Sequence, residues 1–292
     1  MSYDLDFISR NGVFGPESFI EYFRAREHYQ IYQIGMPQFF YENKDTDVYF
    51  VFQFEGTPES PQEKYTPMTL NVNYFRPSYF ILEAEPEVTA FVCHFDLLIF
   101  DSQTHGNDGE VYQKDLLISG WNHGNEFAYA ALLSKPASRE KVATLPTATL
   151  MEIWRWNRGR HALDVGDKFV PRIFFIQIDG RVCTAAVWPD GIPTVIPRVD
   201  YLIVLIVPRK ELAPEGPLGT IEDRALLAWE DARPILERHR STTVGNAIVP
   251  DYDLAPGDVV SFIRSLPPDS QEIVAFPTDR VLDRELVEKY AR

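Results

Sequence analysis

Two short runs set a histidine three residues before a carboxylate, His105-Gly-Asn-Asp108 and His123-Gly-Asn-Glu126. Imidazole with carboxylate is a ligand set for zinc, manganese or iron. On a helix His123 and Glu126 share a face, and His105 or Glu110 could complete a site. Neither run has an established metal spacing, and His, Gly, Asn and Asp also build turns. The expectation is solvated polar residues, no metal and no cofactor.

A second run, Trp154-Arg155-Trp156-Asn157-Arg158-Gly159-Arg160-His161, is basic and aromatic. Guanidinium grips phosphate or carboxylate through two parallel hydrogen bonds, and indole stacks on a base or a cation. Arg155, Arg158, Arg160 and His161 are therefore candidate anchors for a phosphorylated or anionic small molecule. The competing reading puts Trp154 in the core, at helical spacing from Leu150, with the arginines in solvent or against acidic residues elsewhere.

Nucleophilic chemistry has little to stand on. Cys93 and His94 are neighbours and point apart on either a helix or a strand. Cys183 lies in an apolar run and reads as packing. There is no nucleophile elbow, phosphate loop or dinucleotide-binding glycine pattern. The sequence leans away from an enzyme.

The remaining candidate is acidic. The 292 residues carry 43 Asp and Glu against 28 Lys and Arg, a net charge of −15. Residues 1–110 hold 18 acidic and six basic side chains, a net of −12. This balance argues against nucleic-acid binding, which needs net positive charge. Glu42, Asp45 and Asp47 crowd one turn, and Glu55, Glu59 and Glu63 follow, with Tyr41, Tyr49, Tyr65 and Tyr74 around them. Such carboxylates could meet a basic protein partner, with an attraction that speeds association and weakens with salt.

The elements that must position these residues follow from periodicity. Tyr3–Phe7 alternates as a strand, and Pro16 opens a helix ending near His28. Phe39–Tyr41 and Val48–Phe54 form a hairpin with the acidic tip between them. Residues 55–67 form a loop, Met68–Tyr74 a strand, and Ser78–Glu83 another strand. Pro86 then opens a helix with Val88, Phe91, Val92 and Phe95 on its buried face, followed by a short strand at Leu97–Phe100. A helix over Gln113–Leu133 presents Leu117, Trp121, Gly124, Ala128, Ala131 and Leu132. Its glycines at 120 and 124 each cost about 1 kcal/mol of helix propensity, and small residues four apart can admit a close neighbour.

Lys135–Thr149, with Pro136 and Pro146, reads as a domain boundary. Beyond it come a helix through Leu150, Ile153 and Trp154, a strand over Val170–Ile178, an Asp179-Gly180 hairpin turn, a return over Val182–Trp188, and an apolar strand Tyr201–Val207. These three strands read as an antiparallel core, and two short helical segments follow Pro250. The fold expected is α+β in two domains, 1–135 and 150–292, each a mainly antiparallel sheet covered by helices.

Two cysteines cannot make a disulfide framework. The run Met1–Asp6 has no basic or apolar leader character, and no apolar stretch approaches the roughly 20 residues of a membrane helix. A cytoplasmic protein off the membrane is expected.

The opening Met1-Ser2-Tyr3-Asp4-Leu5, the Tyr41-Glu42-Asn43…Val48-Tyr49-Phe50 hairpin and Gly120-Trp121-Asn122-His123-Gly124-Asn125 together resemble a loose group of uncharacterised bacterial cytoplasmic proteins. Some acidic members of such groups are thought to be immunity proteins that neutralise a cognate toxin. The resemblance covers about the first 135 residues and carries over no active-site residue. It implies a non-enzymatic binding protein, docking through Glu42, Asp45, Asp47, Glu55, Glu59 and Glu63 onto a basic, toxin-like partner.

Overall fold

The computed structural model describes residues 1–10, 14–56, 65–103, 107–135, 139–189, 191–205, 224–267 and 273–290, excepting the side chains of 65–67, 107 and 108. The fold is α+β and divides into two compact units. One comprises Met1–Met151 with Asp279–Arg292, the other Glu152–Thr278. The last residues, expected in the second domain, thus belong to the first unit.

In chain order the elements begin with β1 (Ser2–Ser9), α1 (Pro16–Arg24), β2 (Tyr29–Tyr32), β3 (Gln38–Asn43), β4 (Val48–Phe54) and β5 (Tyr65–Asn73). Next come α2 (Tyr79–Phe95), β6 (Leu97–Asp101), β7 (Asn107–Glu110), α3 (Lys114–Leu133), β8 (Ala143–Leu145) and α4 (Thr147–Gly159). The second unit continues with β9 (Phe174–Ile178), β10 (Arg181–Pro189), β11 (Tyr201–Leu205), β12 (Arg224–Ala228), α5 (Trp229–Arg238), β13 (Arg240–Val244), β14 (Ala247–Pro250), α6 (Gly257–Ser265) and β15 (Val274–Phe276). The chain then returns to the first unit with β16 (Val281–Asp283) and α7 (Arg284–Tyr290).

The first unit is built on an antiparallel sheet in the order β2-β3-β4-β5-β1-β6-β7. Alternation along β3 and β4 buries Phe39, Tyr41, Phe50 and Phe52 on one face, where α1 and α2 lie. Phe91 of α2 meets the rings of Phe7, Phe23 and Phe52, and Phe23 stacks on Phe39 with centroids 4.4 Å apart.

The strand expected at Ser78–Glu83 is instead the start of α2, and Pro86 lies inside that helix rather than at its head. Tyr79, Phe80, Ile81, Ala84 and Val88 are all buried. Burying these side chains at about 1.5–3 kcal/mol each outweighs the roughly 3 kcal/mol an internal proline costs.

On α3 the buried positions are Leu117, Trp121, Asn125, Ala128, Tyr129 and Leu133, so Ala131 and Leu132 are off the main seam. A ring fills the gap at Gly124. A Cβ there would overlap the Tyr74 ring. Tyr129 and Leu133 pack with Leu282 of β16 and with Leu286, Val287 and Tyr290 of α7. Asp283, at the end of β16, is fully buried; it accepts from the Ser78 amide (2.8 Å) and hydroxyl (2.7 Å) at the head of α2. A carboxylate there meets the positive end of the helix dipole.

The second unit holds a mixed sheet, β12-β11-β10-β9-β15. Asp179 and Gly180 both have positive φ, 49° and 76°, as the β9–β10 hairpin requires. The antiparallel three-stranded core expected here is corrected in one pairing, because β10 and β11 run parallel. Val195, Ile196 and Val199 of the intervening loop are buried, so that loop crosses back through apolar packing before β11 begins. The other pairings in this sheet are antiparallel. No described helix is long and apolar enough to cross a membrane.

Carboxylates in the first unit meet phenols repeatedly. Tyr3 donates to Asp101 (2.5 Å), Tyr41 to Glu83 (3.0 Å), Tyr29 to Glu87 (3.1 Å), Tyr112 to Glu85 (3.1 Å) and Tyr49 to Asp279 (2.8 Å). Burial, and after it the neighbouring carboxylates, raises the Tyr3 and Tyr41 phenols above their ordinary range. Tyr49 is pushed up to about 12, mainly by burial and against the opposing Arg76.

Two outcomes follow. A phenol raised in the folded state contributes stability fully below its ordinary value of 10, and loses it as pH climbs toward about 12. Ultraviolet titration should therefore show most phenols ionising late, together with loss of near-ultraviolet circular dichroism; independent ionisation near the ordinary value would contradict this. Gly124→Ala gains about 1 kcal/mol of helix propensity but must displace the Tyr74 ring. Overpacking of this kind costs about 1–3 kcal/mol, so calorimetry should find the variant less stable.

Candidate protein-binding surface

The acidic residues divide by environment. Asn43, at the end of β3, and Thr46, in the β3–β4 turn, are buried, and both donate to Glu83 of α2, at 2.7 and 2.9 Å. Tyr41 donates to the same carboxylate oxygen. Glu83 is itself buried, so it clamps the hairpin tip from inside. The Asp45 amide donates to Asn43 Oδ1, closing the turn, and Asp47 takes the left-handed conformation at φ 57°.

Asp45 and Asp47 are only half-buried positions of this tight turn. Glu42 pairs with Lys44 at 2.5 Å. Glu55 is exposed, and Glu59 and Glu63 lie outside the described residues. Tyr41 and Tyr74 turn inward, Tyr49 is half-buried, and the side chain of Tyr65 is outside the described set.

The sheet's outer face carries the polar half of the alternation. Strand pairing aligns Gln30, Phe40, Val51, Asn71 and Asp4 in one row, and Tyr32, Gln38, Gln53, Thr69 and Asp6 in the next. Asn71 donates to Asp4 (2.5 Å) and Thr69 to Asp6 (2.6 Å). Burial raises Asp6, and Asp4 and Asp101 add to that against the Thr69 hydrogen bond.

At the β2 edge the character changes. Tyr32 and Met36 are exposed and Ile34 is 99% exposed. Met36 lies against Gly56, and Phe54 donates its amide to Pro37 O (2.9 Å), so this apolar group sits beside Glu55. Tyr32 donates to Gln30 (2.8 Å), and Gln30 reaches Glu42 (3.5 Å). The Glu42 amide donates to His28 O. Antiparallel alternation then turns the backbone N–H and C=O of Tyr29 and Ile31 to the open edge. Periodicity could have found this group, since Tyr32, Ile34 and Met36 recur every second residue, out of phase with Tyr29 and Ile31.

Part of the basic run serves packing and backbone hydrogen bonding. Trp154 is buried, as the packing reading held. Trp156 Nε1 donates to Pro171 O (2.9 Å), and Arg160 donates to Val170 O (2.7 Å). Asn157 exchanges two 2.8 Å hydrogen bonds with the Ile173 backbone. Arg158 lies over the Trp154 ring at 5.4 Å, while Arg155 and His161 are exposed. The run holds the strand approach at 170–173 with its own donors.

Of the histidine–carboxylate pairs, His105 and the Asp108 side chain lie outside the described residues. His123 is exposed. Glu126 accepts from Lys289 (2.9 Å) and Tyr290 (2.6 Å), and these hydrogen bonds, Tyr290 first, hold it below the usual carboxylate range. Among the described residues no three His, Cys, Asp or Glu side chains are grouped to hold a metal ion.

Sequence reasoning missed one titratable cluster. His239, just after α5, has Nε2 at 3.0 Å from both oxygens of Asp258 in the first turn of α6, and Nδ1 3.6 Å from Asp251. Arg238 adds a 2.9 Å bond to Asp258. Cation at one helix end and anion at another's start suit both dipoles. The nearby Ser261 hydroxyl donates to Gly257 O, so the cluster reads as a clamp between helices.

Comparison with protein-family models, curated proteins and solved structures returns no match for this chain. Its functional reading therefore rests on the geometry above.

Hydrogen bonds from His239 and then Arg238 hold Asp258 down at about 2, against an ordinary 3.8. A lowered carboxylate stabilises the fold above its ordinary value and loses that contribution as pH falls through the lower one. Acid unfolding followed from pH 5 downward should show this loss, and Asp258→Asn should flatten it. Identical acid profiles for the two proteins would remove the clamp.

Proposed function

We propose that this protein is a non-catalytic binding module of immunity or inhibitor type, whose first unit docks onto a basic protein partner. The observation that carries the reading is the exposed group Tyr32, Ile34 and Met36, at the end of edge strand β2 and in the turn after it, with Met36 against Gly56 and so next to Glu55. Single exposed apolar side chains are ordinary, but three within five residues suit an interface. Aromatic and methionine side chains are enriched in interfaces, and charged groups gather at their rims.

Carboxylates at the rim would raise the association rate with a basic partner. The apolar group would supply the slow dissociation. Asp45 and Asp47, held in their tight turn, contribute through long-range charge. Two cysteines, neither in a disulfide, suit action in the reducing cytoplasm. With Trp156, Asn157 and Arg160 bound to backbone carbonyls, the run Trp154–His161 supports an anion-processing enzyme less well.

The test is affinity purification from the native host, followed by binding measurements with the recovered partner. The expected result is a stoichiometric basic protein whose affinity falls at least tenfold, about 1.4 kcal/mol, with Ile34→Lys. Reversing Glu42 and Glu55 to Lys should slow association and weaken its salt dependence, with the melting temperature held. Failure to recover a stoichiometric partner, or unchanged binding by Ile34→Lys, overturns the reading.

A further inference from the structure

The second unit holds a cavity of about 420 Å³ where the β9–β10 hairpin meets the start of β11 and the β12–α5 junction. That volume falls within the usual range for small-molecule sites. Its walls include Ile178, Arg181, Cys183, Arg198, Tyr201 and Trp229.

Each guanidinium presents five N–H donors in a planar fork. Among the described residues neither has a hydrogen bond or an ion pair through its side chain. Three carboxylates also line the cavity, and two have donors of their own. Asp200 accepts from the Thr184 amide and hydroxyl, both at 2.8 Å. Glu230 pairs with Arg233 at 3.2 Å. Asp179 sits in the hairpin turn at positive φ. The lining therefore offers two guanidiniums whose donors are unspent, alongside Asp179 and Asp200, which keep their charge, and Glu230, which Arg233 offsets.

The remaining wall is apolar or neutral. Cys183 is raised, first by burial and then by Asp200, so its thiol adds no charge. Tyr201 and Ile178 offer surface to a ligand body.

We propose that this cavity binds a small organic oxyanion, a carboxylate or phosphate monoester carried on an apolar body. Arg181 and Arg198 hold the oxyanion and Tyr201 packs against the body. The site is separate from the basic run Trp154–His161 and does not depend on the docking surface of the first unit.

Cys183 serves as the reporter. In full-length protein carrying Cys93→Ser, it is the only thiol. Its alkylation by neutral iodoacetamide is timed with benzoate, phenyl phosphate or inorganic phosphate present, against chloride at matched ionic strength. The expected result is saturable protection, slowing alkylation at least fivefold, by benzoate or phenyl phosphate, and lost in Arg181→Gln/Arg198→Gln. Protection by benzoate alone assigns a carboxylate ligand, and protection by the phosphates alone assigns a phosphorylated one. No protection by any probe, equal protection by chloride, or equal protection of the double variant overturns the proposal. Both arginines are exposed, and the melting temperature of the double variant confirms that it folds.

Discussion

The first unit takes carboxylates out of water, and hydroxyl groups of tyrosine, threonine and serine donate hydrogen bonds to them. A buried carboxylate without partners is too costly to keep. Asp101, Glu83 and Asp283 nevertheless lie buried in it, and each is held by neutral donors: Tyr3 for Asp101, Tyr41, Asn43 and Thr46 for Glu83, and Ser78 for Asp283. Each attachment joins segments distant in sequence. Asp101 ties the β6 end to β1, Glu83 ties α2 to the β3–β4 turn, and Asp283 ties β16 to the head of α2. Hydrogen bonds to charged groups are stronger than neutral ones and directional, so they fix where the strands and helices end as well as holding them.

This pairing changes what the net charge of residues 1–110 means. Much of the acidity is built into the fold instead of displayed on one surface. Asp4 and Asp6 accept from Asn71 and Thr69, and Glu87 accepts from Arg26 and Tyr29. The hairpin tip, which looks most acidic in sequence, is fastened from inside by Glu83. The exposed group at the end of β2 and in the turn after it, by contrast, is mainly apolar. The acidic tip that charge counting singles out and the apolar group proposed for docking lie at opposite ends of β3.

Where burial and periodicity agree, the sequence was legible. The β3–β4 hairpin, the buried face of α2, the Asp179-Gly180 turn and Trp154 in the core all came from alternation, helical spacing or turn chemistry. Local rules failed where a tertiary partner overrode them. Pro86 marked a helix start by rule, but the apolar pattern running through it from Tyr79 kept the helix whole. The parallel pairing of β10 with β11 depends on an apolar loop that lacks helical or strand periodicity. The return of β16 and α7 to the first unit rests on Asp283 and Leu282, and no local pattern distinguishes a carboxylate that will cap a helix some 200 residues away.

The two candidate sites obey one criterion, the commitment of side chains. In the basic run Trp154–His161, Trp156, Asn157 and Arg160 donate to backbone carbonyls and Arg158 lies over an indole face, so two of the three arginines are already engaged. Arg181 and Arg198 lie 17 residues apart in a stretch that composition would not single out. The parallel pairing of β10 with β11 brings them to one cavity, and the nearby carboxylates of Asp200 and Glu230 are occupied by Thr184 and Arg233. A charge whose partners are already supplied by the fold serves the fold; one whose partners are missing is available for recognition. That distinction depends on tertiary pairing, which is why cation density along the chain pointed to a different segment.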